Sequence, residues 1–317
     1  MKAAVVTELG KPPVYADFPD PKPSEHEALI EVTAAPLSHV TRYRASGTHY
    51  SSAGSLPFVV GLDGVGRHDG KRVYFVLPRA PFGSMAERTI VNACHLVPLP
   101  DDIDDATAAA IAIPAMSSWA ALRERSTMAP GQVVLVNGAT GISGRLAVQI
   151  AKLLGAGKVI ATGRNAEMLT TLSTLGADAT ISLQQDEAAL DAAFAEHFSN
   201  GVDFVLDYLW GTSAERLLAA AAKTNKDAKP VRFIQIGSSG GANISLPATV
   251  IRSSGLELIG CGMGSVRFDR ILATIAEVFA ATVPHKLAIS AKILPLAKIE
   301  GNWAIETTAT RTVFVTG

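Results

Sequence analysis

The chain has 317 residues, of which 48% are hydrophobic and 18% charged, with a net charge of −1 and two cysteines. That composition excludes a disordered chain and a small disulfide scaffold, and the balanced charge gives no general electrostatic reason to bind nucleic acid or an anionic membrane. Cys94 and Cys261 stand in no metal or redox spacing and fit a reducing, cytoplasmic compartment, and the length suffices for two domains with their own cores.

The first hundred residues scatter prolines and glycines between short apolar runs. The alternation predicts strands over 2–7, 28–33, 72–77 and 85–91, and one or two helical turns over 39–46. Pro12-Pro13, residues 19–23, Gly54, residues 61–66 and Asp69-Gly70 read as turns. The result is a mostly β domain, a small distorted barrel. The opening run MKAAVV is too short for a signal peptide, with Glu8 close behind it.

From Asp104 the chain becomes rich in alanine, with Asp104 or Asp105 as N-cap. Residues 106–122 read as a buried helix broken near Pro114. Thr107, Ser117 and Ser118 argue against a membrane span there. Strands are then expected at 132–137, 158–162, 179–183, 203–209, 231–237 and 256–260. Helices are expected at 143–154, 166–175, 187–198 and 213–224. Six strands with intervening helices give a doubly wound parallel sheet. A further helix begins near Phe268, and the tail 291–315 returns to β character and closes onto the first domain. The boundaries read as 1–113 with 265–317 for the β-rich domain and 114–264 for the α/β domain.

Residues 132–164 organise the chain. A valine-rich run ends at Asn137, Gly138, Gly141 and Gly144 follow at once, and helical periodicity begins. In such a unit one glycine supplies positive φ, one lets a ligand approach the backbone, and one lets helix and strand meet. The helix start then offers free N–H groups and a positive dipole end to a pyrophosphate. Gly138, Ala139, Thr140, Gly141, Ile142 and Ser143 are therefore the candidate phosphate cradle, with Ala139 where the usual fingerprint has a glycine. The second strand ends in Gly163, Arg164 and Asn165 with no acid until Glu167. An acid there holds a ribose 2′-hydroxyl. Arg164 instead suits a 2′-phosphate, and this favours NADPH over NADH. Asn165 also suits a helix cap. Ligands of doubly wound sheets sit beyond the strand carboxyl ends. This adds residues 207–209 with Tyr208, residues 236–239 with Ile236, Gly237 and Ser238, and the trio Gly260, Cys261 and Gly262. Ser117 and Ser118 are candidate hydrogen-bonding partners on the nicotinamide side.

These residues resemble the medium-chain dehydrogenase/reductase superfamily, in its zinc-free quinone oxidoreductase (zeta-crystallin-like) branch, over nearly the whole chain. PFVVGLDGVG at 57–66 resembles the family's P-x-x-x-G-x-D-x-x-G segment, and GSMAE at 83–87 its G-x-x-A-E turn. Residues 134–155 resemble its cofactor segment, with Ile142-Ser143 in place of the usual Gly-Val. The stretch between Gly66 and Tyr74 is unusually short for the family, which trims the substrate domain. The resemblance implies a GroES-like substrate domain beside a Rossmann domain, and a homodimer, with strand 256–260 as the pairing edge.

Zinc members of the superfamily carry Cys and His-Glu ligands, and often a four-cysteine cluster. Here Ser38-His39 and Gly61-Leu62-Asp63 occupy the ligand regions without a cysteine, so no metal is expected, and Asp63 reads instead as the anchor of a turn. Without a Lewis acid a ketone is hard to activate, whereas a quinone or enone accepts hydride with only hydrogen bonds to its oxygen. Tyr43 and Tyr50, in TRYRASGTHY, resemble the family's substrate segment, and Ser38 falls near a polar position of it. All three are candidate substrate contacts. The expected activity is NADPH-dependent quinone or enone reduction.

Two other enzyme readings fail. No tyrosine has a lysine four residues later, as a short-chain dehydrogenase requires, and Arg145 follows Gly144 where a P-loop needs Lys-Ser/Thr. The alternative that stands is an NADPH-binding regulator or sensor with little turnover.

Overall fold

A computed structural model describes residues 1–48, 56–225, 227–305 and 310–317. The chain divides into two compact units, Met1–Ala112 with Ile275–Gly317, and Ile113–Thr274.

The second unit is a six-stranded, wholly parallel sheet. Its spatial order is Ala179–Ser182, Lys158–Gly163, Val133–Asn137, Phe204–Asp207, Val231–Gln235, Leu256–Gly260. Numbered along the chain this is 3-2-1-4-5-6, the doubly wound order with its switch point between the first and fourth strands. The expected strands and helices are all present, with ends shifted by a residue or two. The helical stretch expected at 166–175 is an α-helix only over Ala166–Thr171 and tightens to a 3₁₀ turn at Leu172–Leu175. A short helix at Ala248–Arg252 lay outside the expectation. One face of the sheet, with Leu135, Ile160, Val205 and Phe233, packs against Phe194, Phe198, Leu217 and Leu218 of helices Glu187–Ser199 and Gly211–Thr224. Burying these large apolar side chains contributes about 1.5–3 kcal/mol each.

The β-rich unit is built on the long strand Glu27–Pro36, which pairs antiparallel with Asp63–His68, Arg88–Asn92 and Arg311–Val315. The last pairing brings the C-terminal tail onto the N-terminal domain, as expected. A smaller sheet joins Val14–Asp17, Lys2–Val6 and Phe58–Val59. A GroES-like β unit together with a Rossmann unit is the observed architecture.

Three expectations need correction. Residues 61–66 are not a turn throughout, because Asp63–His68 is a strand. Its glycines are there for contact: a Cβ on Gly64 would lie 2.8 Å from the Ala34 carbonyl oxygen, and one on Gly66 2.3 Å from that of Glu31. Asp63 accordingly does not anchor a turn. The Ala-rich helix is not broken at Pro114 but runs from Asp105 to Arg123 with the proline inside it. Ala108, Ala109, Ala110, Ile111, Ala112 and Ala115 are fully buried around it, and that packing offsets the lost backbone hydrogen bond. Its N-cap is Asp104, whose Oδ1 accepts the Thr107 N–H at 2.8 Å.

Candidate functional site

The predicted cofactor residues gather at one end of the parallel sheet. Gly138–Ser143 leaves the first strand, Gly163–Asn165 the neighbour on one side, and Tyr208 the neighbour on the other. Ile236–Ser238 and Gly260–Gly262 leave the next two.

The turn has the backbone that the glycine pattern requires. Gly138 has φ +89°, and a Cβ on it would lie 2.8 Å from a methyl of Leu209. A Cβ on Gly144 would sit 2.3 Å from the Gly138 carbonyl oxygen, so helix and turn can touch only because it is absent. Gly141 has an ordinary φ of −78° and open space around its Cβ direction, where the nearest atom is 3.6 Å away. It is the N-cap of helix Ile142–Leu153, and it offers that helix no side-chain cap. An uncapped helix start behind an open glycine leaves backbone N–H groups that could hold an anion. Ala139, whose N–H is donated to the Thr162 carbonyl at 2.7 Å, fills its position without disturbing the turn.

Beneath the turn lies a buried polar network. Asn137, Thr162 and Asp207 end three adjacent strands in register and are all fully buried. Thr162 Oγ1 donates to Asn137 Oδ1 at 2.7 Å and accepts the Gly138 N–H at 3.2 Å. Asn137 Nδ2 donates to Asp207 Oδ1 at 2.8 Å and to Ser213 Oγ at 2.9 Å. Asp207 also accepts the N–H groups of Leu209 and Trp210. Burial raises the Asp207 pKa, and these donors act against that rise. The network ties the glycine turn to the next loop, where Trp210 is held at φ +60°, an uncommon conformation for so large a residue. Sequence reasoning reached Asp207 but missed Asn137 and Thr162. Their signal was a polar residue closing an otherwise apolar strand.

Arg164 is exposed beyond the second strand and makes no ion pair or side-chain hydrogen bond among the described residues. The wall behind it is tight, since a Cβ on Gly163 would lie 2.3 Å from the Thr140 methyl. Asn165 caps helix Ala166–Thr171 by accepting the Met168 N–H at 2.9 Å.

The other strand ends are knitted together. Asp207 O accepts the N–H groups of Ile236 and Gly237, and Ser239 Oγ donates to Tyr208 O. Tyr208 Oη meets Ser117 Oγ at 3.1 Å. Ser117 gives its own proton to Pro114 O at 2.7 Å, so the tyrosine is the donor in that pair. Burial pushes the Tyr208 pKa up, so it stays protonated. Cys261 is buried, which pushes its thiol to about 11, and its Sγ points to Ser117 O. Ser118, also buried, donates to Ala115 O.

The candidate substrate contacts belong to the β-rich unit. Ser38 caps helix His39–Ser46, accepting the Thr41 N–H at 3.0 Å and pairing with the Thr41 hydroxyl at 2.8 Å. Tyr43 is 53% exposed and stacks with His39 at 6.3 Å between centroids. Tyr50 lies outside the described residues. Among the described residues no three His, Cys, Asp or Glu side chains group as a metal site. Asp63 is turned into the core, where it accepts the Tyr74 hydroxyl at 2.9 Å and faces the charge of Arg311.

The family model for zinc-binding dehydrogenases matches residues 144–278. A protein of Emericella nidulans assigned as a probable NADPH-dependent quinone reductase is 29% identical over 97% of this chain and 98% of its own length. The human quinone oxidoreductase is 27% identical over 81% of this chain and 79% of its own. Among solved structures, a mycobacterial quinone oxidoreductase superposes with a TM-score of 0.85 over 99% of both chains at 23% identity. The quinone oxidoreductase of Thermus thermophilus, solved alone and with NADPH, superposes with a TM-score of 0.82 at 25% identity, covering 99% of this chain and 100% of its own. Over nearly its whole length the chain is thus similar to quinone oxidoreductases, and the match supports the quinone oxidoreductase branch of the medium-chain dehydrogenase/reductase superfamily.

Proposed function

We propose that the chain is an oxidoreductase that uses NADPH to reduce quinones or conjugated enones, without a catalytic metal. One observation carries the reading: the open, uncapped Gly138–Gly144 turn stands beside an exposed Arg164 that has no partner among the described residues. The relatives named for quinone reduction and the NADPH complex of the Thermus protein support it.

In this reading the first-turn amides of helix Ile142–Leu153 hold the pyrophosphate and Arg164 holds the 2′-phosphate. Tyr208, Ile236–Ser238 and Gly260–Gly262 border the rest of the dinucleotide. Bound NADPH supplies a hydride from its nicotinamide ring. The protein's part is to orient that ring, exclude water and offer a donor to the acceptor's developing oxyanion. Tyr43, Tyr50 and Ser38 are the proposed substrate contacts. Of the two described, Ser38 has its hydroxyl engaged in capping, and Tyr43 is 53% exposed on the same helix.

The 1–113/265–317 and 114–264 segments serve as substrate and cofactor domains. Homodimerisation through the edge strand Leu256–Gly260 belongs to the proposal, supported by the 42% exposure of Leu258 on that edge. Cytoplasmic residence fits two free cysteines.

The test is NADPH oxidation at neutral pH with benzoquinone, phenanthrenequinone, an aliphatic enone and a simple ketone. Turnover of quinone or enone without the ketone is expected. NADPH binding without turnover of any acceptor would instead assign the chain to the non-catalytic, NADPH-sensing alternative. Light scattering tests the dimer.

A further inference from the structure

Helix His39–Ser46 forms one wall of a pocket that lies wholly in the β-rich unit. The pocket has a volume of about 100 Å³ and opens to solvent, and its other walls include Leu9, Phe58, Leu62, Pro81 and Phe82. Phe82 is braced edge-on by Phe18 at 5.9 Å. Among the described wall residues stands one cation, Arg44.

Arg44 is half-buried, and burial lowers its pKa. Its side chain makes no hydrogen bond or ion pair among the described residues. The acids adjacent in sequence to the pocket walls are engaged elsewhere. Glu8 pairs with Lys11 at 2.8 Å, and Asp63 is buried with Tyr74 and Arg311. A cation in the last turn of a helix suits the carbonyl end of the dipole. That preference is met as well by a solvated side chain, and it gives no reason to desolvate the guanidinium. A half-desolvated charge without a partner is a cost that a bound anion would offset.

The geometry points to a binding site for a small apolar carboxylate, with its carboxyl group on the Arg44 guanidinium and its apolar body against Leu9, Phe58, Leu62 and Phe82. A planar guanidinium matches a carboxylate through two parallel hydrogen bonds. A single cation among apolar walls suits one anionic group on a hydrocarbon or aromatic frame, whereas a free phosphate needs several convergent donors. The site needs no dinucleotide and no turnover, so it stands or falls separately from the oxidoreductase reading.

The test is calorimetric titration of the full-length protein with naphthoate as probe. Naphthamide serves as its neutral analogue and inorganic phosphate as the bare anion. Saturable naphthoate binding is expected, weakened about tenfold or more in Arg44→Gln, as for loss of a charged hydrogen bond. Arg44→Lys should retain part of the affinity. Leu9→Ser, a change at an exposed wall residue, should weaken binding without touching the charge. Thermal melting of each variant confirms that the fold persists. Should Arg44→Gln fail to fold, Arg44→Lys and Leu9→Ser carry the test. Absence of binding, equal binding to Arg44→Gln, or equal affinity for naphthamide or phosphate would overturn the assignment.

Discussion

Asn137 donates its side-chain amide to Asp207 at 2.8 Å across two adjacent, buried strand ends. With Thr162 on the other flank, the pair fixes the glycine turn and the Leu209–Trp210 loop to one polar floor. Asp207→Ala strands the donors of Asn137, Leu209 and Trp210 in the interior. Buried unsatisfied donors cost about 1–3 kcal/mol each before relaxation. Urea denaturation should show a loss of several kcal/mol. Because the two side chains share one network, Asn137→Ala and Asp207→Ala combined should cost less than the sum of the two.

Gly141 and Gly144 offer a contrast within one turn. Gly144→Ala places a methyl 2.3 Å from the Gly138 carbonyl oxygen and should lower the melting temperature by several degrees, as expected for a loss of about 1–3 kcal/mol. Gly141→Ala meets nothing closer than 3.6 Å and has a compatible φ, so its melting temperature should change little. Its methyl nevertheless stands at the helix entrance. Dinucleotide affinity, read by fluorescence titration, should therefore fall with the fold intact.

Much of the nucleotide unit was legible in the sequence, because its strands are short apolar runs and helices Ile142–Leu153 and Gly211–Thr224 have a clear apolar period. The β-rich unit was less so. In GLDGVG the glycines look like turn residues, yet Gly64 and Gly66 serve a strand that passes against the carbonyls of Ala34 and Glu31. Val14–Asp17 is a partly exposed edge strand without alternation, hidden behind Pro12-Pro13. Pro114 looked like a break because its cost is local, whereas the burial that offsets it is tertiary. In the site, the glycine turn proposed as the phosphate cradle followed from glycine spacing. The floor of Asn137 and Thr162 did not, because their pairing depends on strand register that only the folded sheet sets.

Asp63 makes stability depend on pH in an unusual direction. Burial pushes its pKa up to about 6, while Arg311 and the Tyr74 hydroxyl hold it down. The folded state therefore binds a proton between about pH 4 and about pH 6 that the unfolded chain has released. This group's contribution is full below about pH 4 and is lost as pH rises through about 6. The stability of the wild type minus that of Asp63→Asn should fall over that window by on the order of 2–3 kcal/mol. A difference that is flat or rises with pH would contradict the assignment.

Arg164 is the proposed reader of the cofactor's 2′-phosphate. The decisive measurement is kcat/KM for NADPH and NADH with one quinone, in wild type and Arg164→Ala. Removing a charge-assisted contact to the 2′-phosphate should cut the NADPH value by about ten- to a hundredfold and leave the NADH value nearly unchanged. Equal use of NADH and NADPH by the wild type, or an unchanged preference in the variant, would contradict it.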